Sequence, residues 1–256
     1  MKTYKVTAIK MGELIVDKGS LTRNKDTGKK IVIPVWAAAV EGTGLKILVD
    51  TGIHDPAWVR EHICECTQSE DETLEKVLEK LGWSAKDVDI VINTHLHYDH
   101  CGNNKLFKNA KFYVQKTEWE AGINPLPHQA DIYLSELFNR KAVNTTNYVL
   151  VDGEYELEEG IVLIPTPGHA VGHQSVLVNT EEGVVCISGD ALNLLENITE
   201  NILPNILTDS AKAYKALEDI RRKSEFVIPG HDPGIEPYMT TGFLKIHGCF
   251  KDPKVL

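Results

Sequence analysis

The chain is poor in cysteine and has no basic cluster and no apolar run of membrane length. Five cysteines (Cys64, Cys66, Cys101, Cys186 and Cys249) are odd in number and scattered, unlike the paired spacing of a disulfide framework. Cys64-x-Cys66 reads more simply as two ordinary thiols than as a metal or redox pair, since a metal site needs further ligands at set spacings. Lys and Arg number 27 against 37 Asp and Glu, a net charge of −10. Nucleic-acid binding relies on cations that neutralise phosphates, so neither DNA nor RNA is an expected partner. The longest apolar run, Ile31 to Val40, is closed by Lys30 and Glu41. It falls well short of the ~20 residues that span a bilayer. The segment Met1 to Val6 lacks the apolar core of a secretory signal. The expectation is a cytoplasmic protein with reduced thiols and no membrane partner.

What is present is ordinary globular material: 42% hydrophobic and 25% charged residues in 256 positions, enough to bury a sizeable core. No tandem repeat or low-complexity stretch divides it, and one domain over 1–256 is expected. The densest chemistry lies in Thr94-His95-Leu96-His97-Tyr98-Asp99-His100. His95, His97, Asp99 and His100 form a His-x-His-x-Asp-His run, and imidazole and carboxylate both suit borderline divalent cations. One cation takes three or four protein ligands. Four from one loop, with more downstream, point to two adjacent ions and so to hydrolysis.

A type of ending recurs. Leu45 to Val49 runs into Asp50-Thr51-Gly52, and Val88 to Asn93 into Thr94-His95. Ile161 to Pro165 leads to Thr166-Pro167-Gly168-His169, Val184 to Ile187 to Ser188-Gly189-Asp190, and Phe226 to Ile228 to Pro229-Gly230-His231. Short β-branched runs stopped by Gly, Pro or Thr read as buried strands. Each delivers a polar residue, so these side chains are expected to converge on one rim of a β core. Between strands the period turns helical over Asp71 to Gly82, from Asp209 or Ser210 to Arg221, and less clearly over Gln115 to Ala121. The class is α/β, in two halves of roughly 1–122 and 151–256. The segment 124–148, with Pro125 and Pro127, is either a lid over the site or a plain connection.

The ordered set Leu48 to Gly52, His95 to His100, Thr166 to His173, Ser188 to Asp190 and Pro229 to His231 resembles the metallo-β-lactamase superfamily over nearly the whole chain. Ile33-Pro34-Val35-Trp36, Asn93 to Phe107, Val114 to Glu120 and Gly172-His173-Gln174-Ser175 resemble its N-acyl homoserine lactonase group. The resemblance implies a four-layer αββα sandwich with metals at one edge of the facing sheets. It implies His95, His97 and His169 on one divalent ion, Asp99, His100 and His231 on a second, and Asp190 bridging them. The ions are zinc by that likeness, while the ligand types also admit Mn, Fe or Co. Asp99 would orient the nucleophilic water or take its proton, and Asp50 and His173 would support the ligands from behind. Trp36, Phe107 and Tyr133 are candidate substrate contacts, although Trp36 and Phe107 read almost as readily as core. His54, His62, His128 and His247 carry no motif.

One position departs from the lactonase pattern. A tyrosine commonly follows the bridging aspartate by three residues and contacts the lactone carbonyl; here Asn193 stands there. Losing an oxyanion donor typically costs ~10²–10³ in rate, so Asn193 either meets a different substrate or is relieved by another donor. The implied activity is opening of a lactone, an N-acyl homoserine lactone or similar cyclic ester, by a metal-bridging hydroxide. The alternatives are hydrolysis of another small ester, thioester or cyclic amide, and, from another class, iron-dependent persulfide dioxygenation. A small molecule is the expected partner, and the oligomeric state stays open.

Overall fold

The computed structural model describes residues 2–139, 147–238 and 244–245. His247, Cys249, the His128 side chain and part of the 124–148 segment lie outside the described residues. Thirteen strands are described: β1 (Lys5–Asp17), β2 (Lys30–Gly42), β3 (Leu45–Val49), β4 (Glu65–Thr67), β5 (Ile90–Ile92), β6 (Lys111–Gln115), β7 (Tyr148–Val151), β8 (Tyr155–Glu158), β9 (Ile161–Pro165), β10 (Gln174–Asn179), β11 (Val184–Gly189), β12 (Phe226–Pro229) and β13 (Leu244–Lys245). They form two sheets, ordered β4-β1-β2-β3-β5-β6-β7 and β13-β12-β11-β10-β9-β8. The first expected half supplies β1 to β6 of one sheet and the second supplies β8 to β13 of the other, while β7, from the stretch between the halves, joins the first sheet. The helices are α1 (Lys18–Leu21), α2 (Pro56–His62), α3 (Leu74–Lys80), α4 (Lys116–Ile123), α5 (Leu195–Thr199) and α6 (Ser210–Lys223).

Alternation along the strands builds the layers, because successive side chains point to opposite faces. Ile47 and Val49 of β3, Ile90 and Ile92 of β5, Val176 and Val178 of β10, and Val185 and Ile187 of β11 meet in one cluster between the sheets. Their intervening neighbours face outward. Leu48 and Val91 pack with Leu74, Val77 and Leu78 of α3. Leu177 and Cys186 pack with Leu217 and Ile220 of α6. Helix, sheet, sheet and helix are thus stacked as an αββα sandwich. Every strand that is buried on both faces reads as a continuous apolar run for this reason.

Helix α6 begins where Asp209 accepts hydrogen bonds from the Ala211 and Lys212 amides, an N-cap that satisfies two otherwise orphaned donors. The span 71–82 is interrupted. A short 3-10 turn covers Glu70–Glu72, and Thr73 takes an extended conformation before α3 starts. The apolar period of Leu74, Val77 and Leu78 does persist as a buried face.

Strand direction explains why chemistry gathers at one edge. β3 and β5 are parallel, as are β11 and β12, and β9 lies two antiparallel steps from β11. Within each sheet the carboxyl ends of the motif-bearing strands therefore fall on the same side, and ligand-type atoms carried by both sheets meet there. Gly102 locks the histidine loop there. A Cβ at Gly102 would lie 2.2 Å from the His54 amide nitrogen and 2.4 Å from the Ile53 carbonyl carbon. Both are backbone atoms that cannot swing aside. Gly102→Ala is expected to lower the unfolding free energy by ~2 kcal/mol or more, as overpacking a rigid contact does. Urea denaturation of the variant beside the parent chain measures it.

Candidate metal centre

His95, His97, Asp99, His100, His169, Asp190 and His231 are brought together at the strand ends, and all are at most 7% exposed. Three groups of ligand-type atoms lie within 4.8 Å of one another: His95, His97 and His169; His95, His100 and Asp190; Asp99, His100 and His231. Asp190 stands between the first and last groups. Its Oδ2 is 3.4 Å from His169 Nε2, and its Oδ1 is 3.2 Å from the Nε2 atoms of both His100 and His231.

Each site residue is carried by a local feature of the chain. Asp50 follows β3 with φ +62°, a left-handed conformation that Asp tolerates better than most residues. The turn aims its carboxylate at the loop after β5. It accepts from the Thr94 amide at 2.7 Å, the Thr94 hydroxyl at 2.7 Å and His100 Nδ1 at 2.8 Å. Gly189 ends β11 with φ +50°, and a Cβ there would meet Thr94 Oγ1 at 2.7 Å and His173 Nε2 at 2.9 Å.

The hydrogen bonds fix the tautomers of four imidazoles. The Thr94 hydroxyl spends its one proton on Asp50, so His95 Nδ1, 3.1 Å away, is the donor in that contact. Asp50 can only accept when ionised, so His100 donates from Nδ1. His169 Nδ1 donates to the Ile206 carbonyl at 3.0 Å, and His231 Nδ1 to the Pro34 carbonyl at 2.9 Å. Each of the four then turns an Nε2 lone pair toward the centre. The Nε2 atoms of His95 and His100, like His97 Nε2 and Asp190 Oδ1, are buried without a hydrogen-bond partner. His97 instead directs Nδ1 at His169 Nε2, 3.1 Å away. Buried polar atoms are rarely left unpaired. Several unpaired lone pairs aimed at one point are what a divalent cation satisfies, and a ligand imidazole that donates its other N–H to a carboxylate or carbonyl is the usual arrangement around zinc.

The electrostatics agree. Burial holds His95 and His97 well below the usual imidazole pKa, reinforced by neighbouring imidazoles. Burial pushes His100 and His231 the same way, but carboxylates outweigh it and raise both, Asp190 foremost in each. The acid side of the cluster thus favours positive charge, which a bound divalent ion would supply. Burial alone would raise Asp190, yet His231, His100 and His169 hold it far below the ordinary carboxylate range.

The remaining sequence expectations fall out differently. His173 Nε2 accepts the Asp190 amide at 3.1 Å, and its Nδ1 donates to Thr166 Oγ1 at 2.9 Å. Thr166 bonds Ser175, which donates to the Ser188 carbonyl. This imidazole is committed on both sides and fixes the Asp190 backbone. Phe107 has no exposed surface and packs in the core outside the seven-stranded sheet. Trp36 is buried between the sheets, with its indole N–H on the Asp232 carbonyl at 2.8 Å. Tyr133 does reach the centre, its ring edge-on to His97 at 4.6 Å, but its hydroxyl is taken by Glu118. In the described part of 124–148, Tyr133, Leu134, Leu137 and Phe138 are buried in the core. Asn193 is 2% exposed beside the centre, and its Oδ1 has no partner. Sequence reasoning missed Glu118, which sits in a stretch that reads only as the polar start of a helix.

Comparison with known proteins follows the same line. The profile of the Metallo-beta-lactamase superfamily matches residues 31–231. An N-acyl homoserine lactonase of Bacillus cereus is 30% identical over 246 residues, which is 91% of this chain and 94% of that protein. A crystal structure of a quorum-quenching N-acyl homoserine lactone hydrolase superposes with a TM-score of 0.82 at 28% identity, covering 95% of this chain and 99% of the other. A structure of an N-acyl homoserine lactone hydrolase with N-hexanoyl-L-homoserine bound at its catalytic metal centre gives a TM-score of 0.81 at 28% identity, over 95% and 100% of the two chains. The chain belongs to the metallo-beta-lactamase superfamily, as one of its metal-dependent hydrolases.

Proposed function

We propose that the chain is a dinuclear metallohydrolase that opens N-acyl homoserine lactones or similar small cyclic esters. The observation that carries this reading is the set of four tautomer-fixed imidazoles with Nε2 lone pairs facing Asp190. His95, His97 and His169 would hold one divalent ion, Asp99, His100 and His231 the other, and Asp190 both; zinc fits the donor set, as do Mn, Fe and Co. Two such ions, when bound, lower the pKa of water to ~7 and polarise the carbonyl under attack.

The chain's own residues do the rest. Asp99 Oδ2 lies 3.7 Å from His100 Nε2 and 3.8 Å from His231 Nε2, at the edge of the cluster. There it takes the proton of the attacking water and returns it to the leaving alkoxide. Asp50 and His173 keep His100 and Asp190 in place. Asn193 offers a buried, unpaired acceptor to an N–H such as the amide of an acyl homoserine lactone. A buried site that leaves such an acceptor empty discriminates against substrates lacking the donor.

Among the described residues no helix is long and apolar enough to cross a membrane, and Cys64, Cys66, Cys101 and Cys186 are free thiols. These facts and the charge of −10 support one catalytic domain acting on small molecules in the cytoplasm, without nucleic acid.

Three outcomes test the reading. Proton release by zinc-loaded protein on a panel of lactones, including a medium-chain acyl homoserine lactone, is expected for the parent and lost in fully metallated Asp99→Ala. Release from thioesters alone, or ring opening of cyclic amides followed by mass because carboxylate and ammonium form with no net proton, would move the substrate class, and one iron per chain on anaerobic metal analysis would overturn hydrolysis in favour of dioxygenation. Asp50→Asn removes the charge behind His100 and is expected to weaken metal affinity ~10–100-fold, read by competition with a chelator. Removing metal should lower the melting temperature, and restoring zinc at ~100 times its Kd should return ~2.7 kcal/mol, measured by calorimetry.

A further inference from the structure

Glu118 is a fully buried acid with no place in the proposed ligand set. It stands in the first turn of α4 and accepts three hydrogen bonds from three separate segments. The Leu96 amide reaches Oε1 at 3.0 Å, the Tyr133 hydroxyl reaches Oε1 at 2.8 Å, and the Gly172 amide reaches Oε2 at 3.0 Å. Leu96 lies between His95 and His97, so its bond fixes the peptide that sets their directions. Gly172 lies in the loop that carries His169 and His173. A Cβ at Gly172 would sit 2.1 Å from the Glu118 amide nitrogen, so this approach of loop and helix requires glycine.

His97 shows why such a device is needed. His95, His100, His169 and His231 each have Nδ1 anchored by a hydroxyl, a carboxylate or a carbonyl. Among the described residues His97 has no such anchor, and its Nδ1 donates only to another ligand candidate. Its Nδ1 faces His169 Nε2, and its Nε2 is unpartnered. Its ring meets those of His95 at 4.3 Å and His169 at 4.9 Å, both ligand candidates themselves, and that of Tyr133 edge-on at 4.6 Å, and Glu118 holds that phenol in place. Burying a carboxylate without a cationic partner is costly, and an apolar residue would pack the same space more cheaply. We infer that Glu118 is the positioning residue for His97 and the His169 loop, coupling the stretch around Tyr133 to the metal centre through the Tyr133 phenol. This rests on the metallohydrolase reading.

The test is zinc release from the loaded full-length chain into a chromogenic chelator, followed for the parent, Tyr133→Phe, Glu118→Gln and the double variant. Tyr133→Phe is expected to speed loss of the zinc held by His95, His97 and His169 ~10–100-fold, while the other zinc leaves at the parent rate. Glu118→Gln is expected to do at least as much, and the double variant no more than Glu118→Gln alone, since both act through one path. Parent release rates in folded Tyr133→Phe and Glu118→Gln, even with lowered melting temperatures, would leave Glu118 a merely structural residue and overturn the inference. If Glu118→Gln does not fold, Tyr133→Phe decides, because it deletes one oxygen and keeps the ring. The zinc content of the parent tests the dinuclear reading separately, so either can fail without the other.

Discussion

The grip of Asp50 on Thr94 and His100 is the contact on which the centre depends. Its carboxylate is 2% exposed, and burial pushes its pKa up, against the pull of His100 and the Thr94 hydrogen bonds. Through three short bonds it joins the end of β3 to the loop after β5, sets the His100 tautomer directly, and sets that of His95 through the Thr94 hydroxyl. A neutral side chain of the same size could keep the shape. It could not accept from all three donors while drawing positive charge to His100. The left-handed backbone at Asp50 and the glycine at 102, which admits the 52–54 turn, follow from the need to bring this carboxylate so close.

The second sheet solves the same problem by other means. Asp190 leaves β11 after a glycine and is held by its own backbone amide on His173, and Gly230 makes room for it. A Cβ at Gly230 would lie 2.4 Å from Asp190 Oδ1. His231 then hangs from the Pro34 carbonyl, a residue of β2 in the opposite sheet. The two sheets are thus tied at the centre itself, where Gln174 also bonds across to the Asn93 and Tyr113 carbonyls. If the candidate ligands hold metal, its affinity and the docking of the two sheets become one property of the fold, since those residues are divided between them.

Much of this was legible in the chain. Leu45 to Val49, Ile161 to Pro165 and Phe226 to Ile228 are strands because β-branched and leucine runs buried on both faces leave a continuous apolar signal, and Gly, Pro and Thr mark their ends. The histidine loop is legible because few structural needs place four imidazole and carboxylate groups within six positions. Other features were not. Phe107 and Trp36 could serve a pocket or a core with the same composition, and only the layers over them decide. Thr73 breaks the expected helix although Leu74, Val77 and Leu78 keep its period, because burial of one face constrains spacing and not the first turn. Glu118 carries no local signature, since its three partners lie 22, 15 and 54 residues away.

Asn193 raises the question of what a buried amide can do where a phenol is common. A phenol donates to an oxyanion and can pass a proton. A carboxamide donates more weakly and passes none, but it also presents an acceptor, which a phenol with its proton committed does less well. Its backbone is fixed by the His231 amide on its carbonyl at 2.9 Å, so the side chain cannot drift from the centre without moving a metal-ligand candidate. An unpaired buried amide oxygen costs ~1–3 kcal/mol in the free protein. A substrate N–H that satisfies it recovers that energy on binding. On the proposed reading the residue would therefore favour recognition of an amide beside the scissile bond over stabilisation of the oxyanion, and proton transfer would fall to Asp99, a buried acid 3.7 and 3.8 Å from the His100 and His231 imidazoles.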